Sequence, residues 1–293
     1  MHQKTLRQSC EIHGIGLHSG QTARVVIHPA PADHGIVFRV KHQGQTVDIP
    51  AKVEYVTRTV MSTNLGVGQA EVCTVEHLLA ALTGLEIDNA LVEVDGCEVP
   101  MMDGSAHPFV VRLRAAGLKT LPSPRRMLRV LAPIELNEDS KFAALYPSDH
   151  TTYQFCVDFA HPAIQRQEIR LAFTSKNFVN EVSRARTFGF EADLQALQAK
   201  GLALGAGLQN AVGLGRDGSV LNAEGLRFPD EFARHKLLDA IGDLSLGGVP
   251  LLAEYRGYKS GHALNLKLVQ TLLANPQSWE VVAAADFIQA QAV

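Results

Sequence analysis

Arg234-His235-Lys236-Leu237-Leu238-Asp239-Ala240-Ile241-Gly242-Asp243 is the stretch around which the chain can be read. At the helical period of about 100° per residue, His235, Asp239 and Asp243 follow one another a turn apart. Lys236 sits at the edge of the same arc, and Leu237, Leu238, Ala240 and Ile241 fill the rest of the circumference. One imidazole, two carboxylates and one ammonium therefore share a stripe on an otherwise apolar helix. Such a stripe is ordinarily the solvated face of an amphipathic helix. The competing reading is a metal site, because His and Asp one turn apart can reach a single divalent cation, as the paired His of zinc-protease helices do. That reading requires a third ligand and a base from elsewhere in the chain.

The composition is that of a globular protein. The 293 residues allow about two domains. Hydrophobic residues make up 46% and charged residues 19%, enough for sizeable cores. Lys plus Arg number 27 against 30 Asp plus Glu, a net charge of −3, so no nucleic-acid partner is expected. The opening Met1-His2-Gln3-Lys4-Thr5-Leu6-Arg7 has no apolar core like that of a signal peptide. No apolar run suits a bilayer span, so no stable membrane insertion is expected. Cys10, Cys73, Cys97 and Cys156 are scattered and read as reduced thiols of a cytoplasmic protein. A metal would therefore lean on carboxylates and on the 12 His.

Outward from the opening stretch, the periodicity predicts strands at 23–29, 36–40, 90–94, 142–147 and 153–159. It predicts helices at 74–82, with Thr74 as N-cap and Gly84 as stop, from 103–105 to about 117, at 191–199, at about 229–246 and at about 262–274. The segment 118–126, with Pro122 and Pro124, reads as a boundary, dividing the chain into 1–122 and 123–293. The second half opens like the first: 142–147 and 153–159 parallel 23–29 and 36–40, which suggests two similarly built halves. Gly14-Ile15-Gly16-Leu17-His18-Ser19-Gly20 reads as a tight turn, with His18 either capping it or serving near a site. Gly213-Leu214-Gly215-Arg216-Asp217-Gly218 matches G-x-G-x-x-G but lacks a preceding strand and a following helix, so a dinucleotide site is rejected.

The helix at 74–82 supplies what the opening stretch lacks. A catalytic zinc usually keeps three protein ligands and one open position, and His77, His235 and Asp239 meet that requirement. Glu76, beside a ligand, could act as base on a water, as the Glu of zinc proteases does. His262 is a further titratable group, and Asp243 could hold it cationic.

Six segments in this order resemble the zinc-dependent UDP-3-O-acyl-N-acetylglucosamine deacetylase family of lipid A biosynthesis. They are Gly14 to Gly20, Thr74-Val75-Glu76-His77-Leu78, Asp103-Gly104-Ser105-Ala106, Ser183 to Phe190, His235 to Asp243, and Lys259-Ser260-Gly261-His262-Ala263. The resemblance implies an α+β fold of two similar two-layer α/β sandwich domains, with the active site at their interface. It implies one catalytic zinc per chain on His77, His235 and Asp239, with iron(II) also accepted by such ligands. Glu76 would be the general base and His262 the general acid, charged and oriented by Asp243. Lys236 and Thr187 would hold the reacting amide and its oxyanion. Phe188 would line the sugar region, and Lys141, Asp158 and Phe159 would bind the uridine diphosphate end. The apolar insert near 190–220 would pass the acyl chain. The implied reaction removes the N-acetyl group of a UDP-linked acylated amino sugar and releases acetate. A monomer is expected, with turnover through the apolar tail at 287–293 as a further implication. Ser62 stands where some relatives carry a metal-approaching Cys, and a neutral hydroxyl is a poor zinc ligand. The alternatives are a zinc peptidase or another zinc amidase, or a non-catalytic protein with a structural zinc.

Overall fold

The computed structural model describes residues 1–284. Two five-stranded sheets organise them. Across its width the first runs Cys10–Ile15, Thr22–Pro29, Ala90–Asp95, Ile36–His42, Gln45–Pro50. The second runs Ile134–Glu138, Lys141–Tyr146, Glu254–Tyr258, Thr152–Phe159, Gln165–Ala172. In both, two antiparallel hairpins come first along the chain and a much later strand inserts between them. That strand is antiparallel to the first hairpin and parallel to the second in each sheet. The parallel between 23–29 and 142–147, and between 36–40 and 153–159, is thus an equivalence of place: second and fourth strand of each sheet. Alternation explains the strands. Ala23, Val25 and Ile27 turn inward while Arg24, Val26 and His28 lie on the other face.

The helices are α1 (Glu76–Gly84), α2 (His107–Ala116), α3 (Ser175–Asn177), α4 (Glu191–Ala199), α5 (Glu231–Leu244) and α6 (His262–Leu273). In each half one helix precedes the inserted strand, α1 or α5, and one follows it, α2 or α6. α5 and α6 pack on the second sheet, and α2 packs on the first sheet and on α1. α1 in turn lies against α5, so the two helical layers meet between the sheets. The architecture is α+β in two similar halves, as the sequence implied. α1 is buried on every side, including Glu76 and His77, because it sits between two layers rather than at a surface.

One local expectation is corrected. Thr74 does not cap α1. Its backbone has φ 58°, and its hydroxyl donates instead to Glu98 Oε1 at 2.9 Å. Gly84 is the last residue of α1, where the sequence places the stop, and a Cβ there would fall 2.0 Å from Phe178 Cδ1, so close packing also requires glycine. The segment 118–126, where the sequence places the boundary, is mostly strand. Leu118–Pro124 pairs with His2–Leu6, and Arg126–Val130 pairs with Leu251–Leu252 and Trp279–Ala283. Arg125 between them is buried and donates Nε to Asp88 Oδ1 at 2.8 Å. The tail at 287–293 lies outside the described residues.

α1 and α5 cross at Gly242, where a Cβ would lie 2.1 Å from Glu76 O and 3.1 Å from Glu76 Cα. Those neighbours are backbone and cannot rotate away. Gly242→Ala should therefore destabilise the protein by about 2 kcal/mol or more, the upper range of overpacking. Urea denaturation measures it, and an unchanged midpoint would contradict this contact.

Candidate metal centre

His77 comes from the first turn of α1, and His235 and Asp239 come from one face of α5. The α1–α5 crossing brings them together. Nε2 of His77 and Nε2 of His235 each lie 3.3 Å from Asp239 Oδ1. One ligand atom from each residue falls within 4.8 Å of the others, and all three residues are buried. The His235 Nδ1 donates to Ala185 O at 3.1 Å, which leaves its Nε2 as a lone pair facing the cluster. Burial depresses His235 to about 3 although Asp239 opposes it, so the ring is neutral and ready to ligate. Burial works against ionising Asp239, but His235 and then Lys236 outweigh it and hold the carboxyl well below its ordinary range. Asp239 Oδ2 accepts from Lys236 Nζ at 2.8 Å, whereas the buried Oδ1 has no hydrogen-bond donor among the described residues. An orphaned, ionised oxygen beside two imidazole nitrogens fits a divalent cation: two nitrogens and one oxygen are a donor set for zinc, iron(II) or cobalt(II).

Glu76 and His262 stand on either side of the same space. Glu76 Oε2 accepts from Thr63 N at 3.0 Å, and Oε1 lies 3.9 Å from His262 Nε2. Burial raises the Glu76 pKa above the usual carboxylate value, although His262 and His77 oppose it. His262 opens α6, and its Nδ1 lies 2.9 Å from Asp243 Oδ2. Burial alone would lower His262, but the Asp243 carboxylate outweighs it and raises the ring to about 9. The polar arc of α5 is therefore not solvated. It is divided between the ligand cluster and the His262 pair.

These groups line a cleft of about 370 Å³, together with Lys141, Thr187, Phe188, Lys236, Leu17 and Met61. Thr187 is pinned on both sides: its N donates to Gly104 O at 2.8 Å, and its O accepts from Val212 N at 2.7 Å. The stretch before it is anchored by Arg186, which forks onto the buried Glu231 at the start of α5 through Nε to Oε1 (2.9 Å) and Nη2 to Oε2 (3.1 Å). Lys236 Nζ lies 5.7 Å from the Phe188 ring centre, within cation–π reach. Phe159 sits behind this wall with its ring 5.8 Å from Phe188. Asp158 is not brought to the ligand cluster. It accepts from Tyr258 at 2.9 Å and pairs with Lys259 at 3.7 Å. A larger cavity, about 470 Å³, opens at the other end of the α1–α5 pair around Thr83, Leu246 and Trp279, away from these groups.

Several site residues were invisible in the sequence. Thr63 and Asn265 both donate to Asp243, at 2.6 and 2.9 Å. Glu98 is buried and accepts from the backbone of His18 and Ser19, at 2.9 Å each. It thereby sets the glycine-rich turn, whose His18 Nδ1 accepts from Ala203 N at 3.3 Å and holds the apolar insert. Ser62 is buried and donates to Asn64 Oδ1 at 3.0 Å, and it does not line the cleft. In the rejected glycine motif, Gly213 falls in a three-residue strand, Val212–Leu214, that was not expected. A turn held by Asp217 and Ser219 follows, with no helix.

Residues 3–274 match the model of a family described as UDP-3-O-acyl N-acetylglycosamine deacetylase. The chain is 46% identical over 282 residues to the UDP-3-O-acyl-N-acetylglucosamine deacetylase of Myxococcus xanthus (strain DK1622), covering 96% of this chain and 90% of that one. It is 47% identical over 286 residues to the protein of that name from Pseudomonas entomophila (strain L48), covering 97% and 94%. With that of Anaeromyxobacter dehalogenans (strain 2CP-C) the identity is 48% over 280 residues, covering 96% and 90%.

If the three buried groups hold a metal, purified protein should carry one divalent ion per chain by elemental analysis. Asp239→Ala should weaken binding by about 10-fold or more while the far-UV spectrum stays native. Full metal content in that variant would remove Asp239 from the ligand set.

Proposed function

The chain belongs to the UDP-3-O-acyl N-acetylglycosamine deacetylase family, and from that premise we propose that it hydrolyses the N-acetyl group of a UDP-linked 3-O-acylated glucosamine, releasing acetate in lipid A biosynthesis. The observation that carries this reading is a single buried cleft that joins a His77–His235–Asp239 cluster to a carboxylate, Glu76, and to a carboxylate-paired imidazole, His262. We assign His77, His235 and Asp239 as ligands of one zinc. A cation there supplies Lewis-acid chemistry: it brings the pKa of a water down toward 7 and polarises a carbonyl.

The chain's own groups do the rest. Glu76, kept proton-hungry by burial, takes a proton as water attacks the acetyl carbonyl. Lys236 and Thr187, on the cleft wall, face the developing oxyanion; one good donor in such a place contributes about 3 to 4 kcal/mol. His262, held as an imidazolium by Asp243, gives its proton to the departing sugar amine. Phe188 is assigned to the sugar region and Lys141, Asp158 and Phe159 to the uridine diphosphate end of the substrate; Phe188 and Lys141 line the cleft, and the Phe159 ring lies 5.8 Å from that of Phe188. The division of the halves at 122/123, a cytoplasmic location and a monomeric state belong to the same proposal. The two repeated sheets support the first of these. A zinc peptidase or another amidase would share the ligand set, and the names of the relatives favour the deacetylase.

Acetate release from the UDP-sugar substrate tests the proposal. Glu76→Gln and His262→Ala should each lower kcat by about 100-fold or more with native metal content. Wild-type rates in either would remove that residue from its role. His262 must keep its proton to act, so activity should fall as pH rises through its pKa. A bound cation lowers that pKa from about 9, which places the alkaline limb between neutrality and about pH 9. The limb should be missing in His262→Ala, and its persistence there would assign it to another group.

A further inference from the structure

Thr63 is neither one of the three candidate ligands nor a residue of the cleft wall, yet it bonds to Glu76 on one side and to Asp243, the partner of His262, on the other. It is fully buried in the turn between Val56–Arg58 and Asn64–Val67, in the first half of the chain. Its backbone is clamped on the first turn of α1: its O accepts from Val75 N at 3.1 Å, and its N donates to Glu76 Oε2 at 3.0 Å. With Oε2 occupied in this way, Glu76 Oε1 is the oxygen left facing His262 Nε2, 3.9 Å away. The Thr63 hydroxyl points the other way, across the seam, and donates to Asp243 Oδ1 at 2.6 Å.

Asp243 receives Asn265 Nδ2 on Oδ2 at 2.9 Å and the His262 Nδ1 on both oxygens, at 3.1 and 2.9 Å. Asn265 and His262 both belong to α6, in Asp243's own half. Among the described residues, Thr63 is the donor from the other half. A carboxylate held on one oxygen can swing about its Cβ–Cγ bond; held on both, it presents a fixed plane to the imidazole. One residue thus sets the plane of the carboxylate behind His262 and selects the free oxygen of Glu76.

We propose that Thr63 is a positioning residue that locks the base of one half to the acid–carboxylate pair of the other through its backbone N–H and its side-chain hydroxyl. The proposal rests on the deacetylase reading for its consequence, not for its geometry. Because the backbone clamp is independent of the side chain, removing the hydroxyl releases Asp243 while leaving Glu76 and α1 in place.

The test compares Thr63→Val, close in shape but lacking the donor, with Thr63→Ser, which keeps it, in full-length metal-loaded protein. Thr63→Val should lower kcat for acetate release by about 10- to 100-fold, with KM within about twofold and metal content unchanged. Thr63→Ser should stay within about threefold of wild type. In protein labelled at histidine nitrogen, the low-field Nδ1 proton of His262, assigned by its loss in His262→Gln, should move upfield in Thr63→Val and not in Thr63→Ser. Wild-type kcat in Thr63→Val overturns the proposal, and so does an equal fall in both variants, which would make the side-chain shape rather than the hydroxyl the cause. If Thr63→Val does not fold, Thr63→Ala is read against the same two outcomes. A wild type that releases no acetate refutes the deacetylase reading instead, and the imidazole signal still decides the tether.

Discussion

The structure depends on one close contact, the backbone of α5 at Gly242 against the backbone of α1 at Glu76. Two helices normally stand 8–10 Å apart, with side chains between them. Here the absence of a Cβ lets the first turn of α1 settle onto the last turn of α5. That brings Glu76 and His77 within reach of His235, Asp239 and, through Thr63, Asp243. None of these polar groups would survive burial alone, since an unpaired buried charge costs several kcal/mol. Some of their partners lie across the seam: His77 meets Asp239, and Thr63 meets Asp243. The seam and the site are therefore one construction: the halves meet where their buried polar groups satisfy one another.

The two halves share a sheet order but not a chemistry. His107 opens α2 in the same topological place as His262 opens α6. Burial lowers His107, and Arg184 and Arg227 add to that against the single opposing Asp103. His262 sits on Asp243 and is raised instead. The same position on the same scaffold thus yields a neutral ring in one half and a cationic one in the other. The difference lies in the balance of burial and charge: Asp103 does not overcome burial at His107, whereas Asp243 does at His262. In the second half the preceding helix, α5, carries the polar stripe that makes this carboxylate available.

That stripe was legible because period 3.6 puts His235, Asp239 and Asp243 on one arc whatever the helix packs against. The paired sheets were legible as a repeat of two short strands at the start of each half. What was not legible depends on contacts far apart in the chain. Thr63 looks like any threonine in a polar turn, and its partner is 180 residues away. Asn265 and Glu98 likewise carry no local pattern. Thr74 was misread as a cap because its sequence position satisfies the capping preference. The buried Glu98 carboxylate offers its hydroxyl a stronger acceptor, and the φ of 58° takes it out of cap geometry. The roles of Lys141, Asp158 and Phe159 came from the family resemblance, since a strand end bearing a charge or a ring is unremarkable in itself.

In the proposed site, residues from both halves close on one cation and leave it open to substrate. The most direct measurement is anomalous diffraction at the zinc absorption edge from crystals of the zinc-loaded protein. One peak should appear within about 2.0 to 2.2 Å of His77 Nε2, His235 Nε2 and an Asp239 carboxylate oxygen, with no fourth protein ligand. A peak elsewhere, or one closed off by a fourth side chain, would contradict the account.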